Sequence, residues 1–174
     1  MNAGGQSALF DAFLFFVIAL VASAAVLSYA ALSLAPDEAA ARTQGLQYAE
    51  DLRIALMRTT LRDAWYLNAA GERIDLGQGV TVEVYLIDEI RLIAQGLSPE
   101  NFEGTNAEIR GDAESLVRPP FSVGVSGKEV ELGSPLLLWI GSGTGPPVDR
   151  FTAEWTYDTF DGHHVEVGVH LWYA

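Results

Sequence analysis

The feature that most constrains this chain lies near its start. Residues 12–35 read AFLFFVIALVASAAVLSYAALSLA, a run of 24 residues without a charged side chain. A helix of that length rises roughly 36 Å, enough to cross a bilayer core with some tilt. Within residues 1–36 the one charged side chain is Asp11, and Pro36-Asp37-Glu38 follows the run. A secretory signal peptide wants a basic start and a shorter apolar stretch. Here the first basic residue is Arg42. Two readings remain for the run: a plain membrane anchor, or a helix that later packs among others of its kind.

The positive-inside rule has almost nothing to act on near this run. With no basic cluster after it to hold the rest inside, the C-terminal part is expected outside the cell. Asp11 sits beside the run, where an acid is costly unless it is interfacial or paired. It suits the headgroup level in a first helical turn, where the helix dipole favours negative charge. Alternatively it pairs with a positive charge in an assembly.

The start Met1-Asn2-Ala3-Gly4-Gly5-Gln6-Ser7-Ala8-Leu9-Phe10-Asp11, followed by the apolar run, resembles that of archaeal type IV pilin-like proteins. The resemblance covers about residues 4–35. It implies a leader of residues 1–5, cleavage between Gly5 and Gln6, and a new amine at Gln6 that Asp11 pairs with. It also implies a structural role: a subunit held in the membrane that assembles into an extracellular filament with copies of itself or related subunits. Three segments follow: the leader 1–5, a membrane or filament-core helix 6–36, and an extracellular globular domain 37–174. The alternative is a single-span surface protein whose outer domain binds a ligand or partner.

Composition narrows the classes further. The chain has 174 residues, enough for one ordinary domain beyond the run. Its formal charge of −13 argues against nucleic acid as partner. It has no cysteine, which rules out disulfides, thiolate metal sites and a cysteine nucleophile. There is no Asn-x-Ser/Thr site.

Residues 37–68 are rich in helix formers, so the helix is predicted to run on past Pro36 and to end near Asn68, with Gly71 as its cap. Leu46, Ile54, Met57, Leu61 and Trp65 form one apolar stripe; Tyr48, Leu52, Ala55, Leu56 and Tyr66 form another. Two stripes predict cover on two sides, one from the chain's own sheet and one from more of the domain or a neighbouring subunit. Residues 74–79 read as a turn or short strand. Residues 81–95 fit both periods, and a helix is favoured, with Val84, Ile87, Ile90 (or Arg91) and Ala94 at its spacing and Gly96 as its stop. Ser98-Pro99-Glu100 opens a loop, and residues 106–117 hold a short helix before Pro119-Pro120.

Beyond Pro120 the pattern is β. Ser126-Gly127-Lys128 reads as a hairpin turn between strands 121–125 and 129–132. Residues 136–140 form a further strand, and 141–147 a flexible Gly-rich loop without the Lys-Ser/Thr of a phosphate-binding loop. Strands 151–159 and 164–173 close the chain. Their apolar sets share a face if Trp155 pairs with Val169 and Tyr157 with Val167, or with a shift of two. The first register sets Glu154 opposite His170 and Asp158 opposite Glu166. The order predicts an α+β fold: a long N-terminal helix packed on a C-terminal antiparallel sheet, with one or two short helices between.

Candidate chemistry is thin. His164, Glu166 and His170, with Glu154 opposite, are residue types that bind divalent metal. Alternate strand residues stand roughly 7 Å apart, however, and a solvated strand face is the simpler reading. Ser7, Ser126 and Ser142 show no histidine and acid partners in sequence. Asp37-Glu38 and Asp88-Glu89 read as solvated faces, and Trp139, Trp155 and Trp172 as core. No catalytic residue and no cofactor is expected.

Overall fold

In the computed structural model, residues 3–130, 136–159 and 162–174 are described. They divide into two compact units, Met1–Thr43 and Gln44–Ala174. The chain is α+β, with three α-helices, a 3-10 turn and two antiparallel sheets among the described residues. Helix α1 (Ala3–Met57) begins in the first unit and ends in the second.

In the second unit, α1 buries one stripe, Ala49, Leu52 and Leu56, with Met57 beside it. Leu46 and Ile54, two of the five residues in the other stripe expected to be covered, are exposed. The helix stops at Met57, not near Asn68. Thr59 and Leu61 leave it to bond Val82 and Val80, at 2.9 Å each. Strand β1 (Trp65–Leu67) then pairs antiparallel with β2 (Arg73–Asp75). Gly71 serves in the turn between them, at φ 77°, and caps no helix. In that turn the Asn68 Oδ1 accepts from the backbone of Ala70 and Glu72, both at 2.9 Å. The expected burial of Leu61 holds, but the element does not. Aromatic residues at a helical spacing also suit a strand, and tertiary pairing decides.

Helix α2 (Val82–Ala94) forms as favoured, with Thr81 as N-cap accepting from Val84 N–H, and Gly96 at φ 102° beyond its end. Val82, Tyr85, Leu86, Glu89 and Ile90 are buried, while Val84 is exposed. A 3-10 turn (Pro99–Phe102) stands where a loop was expected, and leads into α3 (Glu103–Leu116).

The main sheet has the order β4-β3-β6-β5, wholly antiparallel. Its strands are β3 (Phe121–Glu129), β4 (Leu138–Ile140), β5 (Phe151–Asp158) and β6 (His164–Tyr173). The hairpin expected at Ser126-Gly127-Lys128 is absent, because β3 runs straight through it against β6. Gly127 is there for close packing: a Cβ on it would come within 2.4 Å of Ile90 Cδ1 on α2. The expected strand 129–132 lies partly outside the described residues. Strands β5 and β6 take the two-residue shift, pairing Trp155 with Val167 and Tyr157 with Val165. Thr152, not Glu154, therefore faces His170, and Asp158 faces His164 rather than Glu166.

Val125, Val165, Val167, Val169 and Leu171 on one sheet face join Leu56, Leu86, Ile90 and Ile109 in a single core. Fully burying each such side chain is worth about 1.5–3 kcal/mol relative to water.

Candidate functional site

Three places combine exposure or burial with chemistry. The first is the apolar surface of α1 in the first unit. Phe13, Phe15, Phe16, Val17, Ile18, Leu20 and Val21 are all exposed, Phe15 to 74%, and farther along Val26, Leu27 and Tyr29 are too. At 100° per residue these positions encircle the helix. The hydroxyls within the run are satisfied locally: Ser23 and Ser28 donate to the carbonyls of Ala19 and Ala24 at 2.8 Å. Such bonding back to the preceding turn hides a polar group from its surroundings. Gly5, Gln6 and Asp11 lie on the first turns of α1, and their side chains lie outside the described residues, as do those of 12, 14 and 30–35 in the uncharged run. Among the described residues, no helix is long and apolar enough to cross a membrane.

The second place is the outer face of the main sheet. His170 is buried there, 1% exposed. Its Nε2 lies 2.7 Å from Ser126 Oγ, and its Nδ1 lies 3.0 Å from Thr152 Oγ1 and 3.2 Å from Arg150 Nε. Burial, and secondarily the Arg150 charge, lower the imidazole pKa to about 4. The ring is therefore neutral at pH 7. A guanidinium only donates, so Nδ1 accepts and the single proton sits on Nε2. The imidazole Nε2–H thus donates a hydrogen bond to Ser126 Oγ and does not accept one from it. That is the opposite of what an activated serine needs. Trp139 covers the cluster: its ring lies 5.8 Å from that of His170 and 6.2 Å from that of Trp172. Gly124 leaves room for it, since a Cβ there would come within 2.3 Å of Trp139.

The four residues with metal-ligand chemistry have separate surroundings. His164 bonds Asp158 at 2.6 Å, Glu166 pairs with Lys128, His170 sits in the buried cluster, and Glu154 stands opposite Gly168. Among the described residues, no group of three or more His, Cys, Asp or Glu is placed to hold a metal ion.

The third place was missed in sequence. Glu89 is 0% exposed, a correction to the solvated face expected of Asp88-Glu89. Its Oε1 accepts from Asn106 Nδ2 at 2.7 Å, and its Oε2 is buried without a hydrogen-bond partner. Burial pushes its carboxyl up to about 8; the Asn106 bond acts against this, and the negative Glu103 adds to it. The group is thus mostly protonated at pH 7. It lines a cavity of about 230 Å³ with Tyr66, Tyr85, Phe102 and Leu76, and with Asp88 and Arg91, which pair at 3.6 Å. Tyr66 stacks on Phe102 at 5.5 Å, and Tyr85 meets Phe102 edge-on at 6.4 Å. Glu89 falls seven residues after Val82 and four after Tyr85, squarely on the buried stripe of α2. That spacing was the available signal.

No protein-family model matches the chain, and neither a curated protein nor a solved structure matches it.

Proposed function

We propose that this chain is a structural, pilin-like subunit that assembles into an extracellular filament through its N-terminal helix. The observation that carries the reading is the ring of exposed phenylalanine, leucine, isoleucine and valine side chains around α1 between Phe13 and Val21. Against water, each would gain about 1.5–3 kcal/mol on burial. Transfer from lipid to a helix bundle gains less, because lipid is equally apolar; packing and charge pairing then decide assembly. Asp11 is the candidate for that pairing, with the amine of Gln6 after cleavage at Gly5. Leu46 and Ile54, exposed on α1 in the second unit, are further apolar side chains that neighbours would cover. The membrane holds the subunit before assembly, and the second unit lies outside the cell.

The test is electron microscopy of sheared surface material, with the subunit identified by mass spectrometry. Filaments whose mature chain starts at Gln6 support the reading. A chain that keeps Met1, stays in the membrane and forms no filament supports instead a single-span surface protein. The aromatic cavity beside Glu89 favours that second reading, since it gives an outer domain something to bind with.

A further inference from the structure

The second unit carries two unmatched surface features of opposite chemistry. The first is a depression of about 220 Å³ where the end of α1 meets the edge strand β5, lined by Ile54, Met57, Arg58, Trp155 and Tyr157. Trp155 is 54% exposed, and the Arg53 guanidinium braces its ring, 5.0 Å from the centroid. Glu50 holds Arg53 in turn, at 2.6 and 2.9 Å. Glu83, on the same wall, is engaged with the Tyr157 hydroxyl. The Arg58 side chain is exposed and has no ionic or hydrogen-bonding partner among the described residues. The second feature is the loop before β5. Val148 there is 93% exposed, more than any other described large apolar side chain. Asp149 beside it is exposed and likewise without a partner among the described residues.

The loop is stiff before anything binds it. Pro146 and Pro147 fix their own φ, and Pro146, preceding a proline, is held extended. Arg150 ties the loop to the sheet: its Nη1 donates to Pro147 O at 2.5 Å and its Nε to His170 Nδ1 at 3.2 Å. Little conformational freedom is therefore lost on contact. The loop stands away from its own chain's depression, since it joins β5 at Phe151, ~13 Å of strand short of Trp155. We propose that residues 146–149 of one copy dock in the depression of a second copy, with Val148 and the prolines against Trp155, Tyr157 and Ile54, and Asp149 on Arg58. Extended proline-bearing segments bind aromatic-lined grooves by this chemistry. A small carboxylate would satisfy Arg58 but leave Val148 in water; a second copy answers both. In a chain of formal charge −13, copies repel unless an acid meets a free cation, which this pairing supplies. Loop and depression are different patches, so the contact is head-to-tail. It joins second units and does not rest on the helix-driven assembly proposed above.

The chain has no cysteine, so introduced thiols report only on each other. Full-length V148C and I54C, told apart by a tag, are mixed in detergent micelles that cover the apolar part of α1 and treated with a short bismaleimide. Heterodimer should form well beyond random pairing. W155A in the I54C chain should cut it by about tenfold or more, the loss expected of a central aromatic anchor. D149R in the V148C chain, or R58E in the I54C chain, should cut it by about two- to fivefold, the worth of an exposed ion pair. The two reversals together should restore it, which a merely structural role of either residue would not do. Should W155A disturb the fold, the charge exchange decides, since Arg58 and Asp149 are both exposed. Random pairing, indifference to W155A, or reversals that fail to restore the cross-link would overturn the proposal. Phenylacetate that binds the full chain and is lost with R58E, in the absence of cross-linking, would overturn it in favour of a small carboxylate. Because micelles keep α1 covered throughout, failure here leaves the filament reading standing, and absence of filaments leaves this contact standing.

Discussion

The two units treat apolar side chains in opposite ways. In Met1–Thr43, Phe15 and Tyr29 stand about three-quarters exposed, and from Phe13 to Val21 the described side chains of α1 are apolar all round. In Gln44–Ala174, Leu56, Leu86, Val125 and Leu171 are sealed in one core, and even Glu89 and His170 are drawn inside. The second unit satisfies its hydrophobic surface internally. The first leaves apolar surface exposed, and its cover by other molecules is the physical content of the assembly proposal.

A pair of substitutions tests that contrast most severely. Leu86→Ala should lower the stability of the second unit by about 2–5 kcal/mol, the cost of a buried cavity, measured by urea unfolding. Phe16→Ala should leave that transition unchanged within about 0.5 kcal/mol and reduce filament yield instead. Equal effects of the two on unfolding would erase the distinction.

The buried ionisable groups give the next largest effect. Glu89 has a folded pKa of about 8, above its ordinary 4.5. Its contribution is full below pH 4.5 and is lost as pH rises through 8. His170 is lowered to about 4 from 6.5, so its contribution is full above pH 6.5 and is lost as pH falls through 4. The slopes oppose and nearly cancel between pH 4.5 and 6.5. From pH 6.5 to 8 the Glu89 slope stands alone, and stability should fall by about 2 kcal/mol, at about 1.4 per pH unit. Glu89→Gln should flatten that limb in denaturant titrations at pH 6.5, 7.2 and 8; an unchanged slope would mean Glu89 does not carry it.

A smaller effect is expected at Gly127. Alanine there should push Ile90 and cost about 1–3 kcal/mol, visible in the melting temperature. Smallest is Thr81→Ala, which removes the N-cap of α2 and should cost about 1 kcal/mol. Neither should alter filament yield if the two units are energetically separate.

Much of the fold was legible because local chemistry and final structure agree. Thr81 and Gly96 bracket α2 in both, and the alternating valines of β6 require one face in the core. The failures share a cause. Trp65 and Leu61 keep a helical spacing from Met57, yet the backbone there bonds to Val80 and Val82, which only the fold brings near. Gly127 reads as a turn because glycine serves turns and close packing alike, and only Ile90 distinguishes them. Ser126 and His170 meet across a separation of 44 residues, fixed by strand pairing that no local window contains. Glu89 was the exception, since its place on the apolar stripe was visible but its charge type concealed it.

The margins of the main sheet carry a last consequence. One margin, β4, is three residues long; the other, β5, is eight and bears the exposed acids Glu154 and Asp158. Short or charged borders resist edge-to-edge zippering. In a chain of formal charge −13, two such borders meeting would set acid against acid. Cross-β growth is thereby discouraged, so assembly of the proposed helix-driven kind would face little competition from accidental joining along the strands.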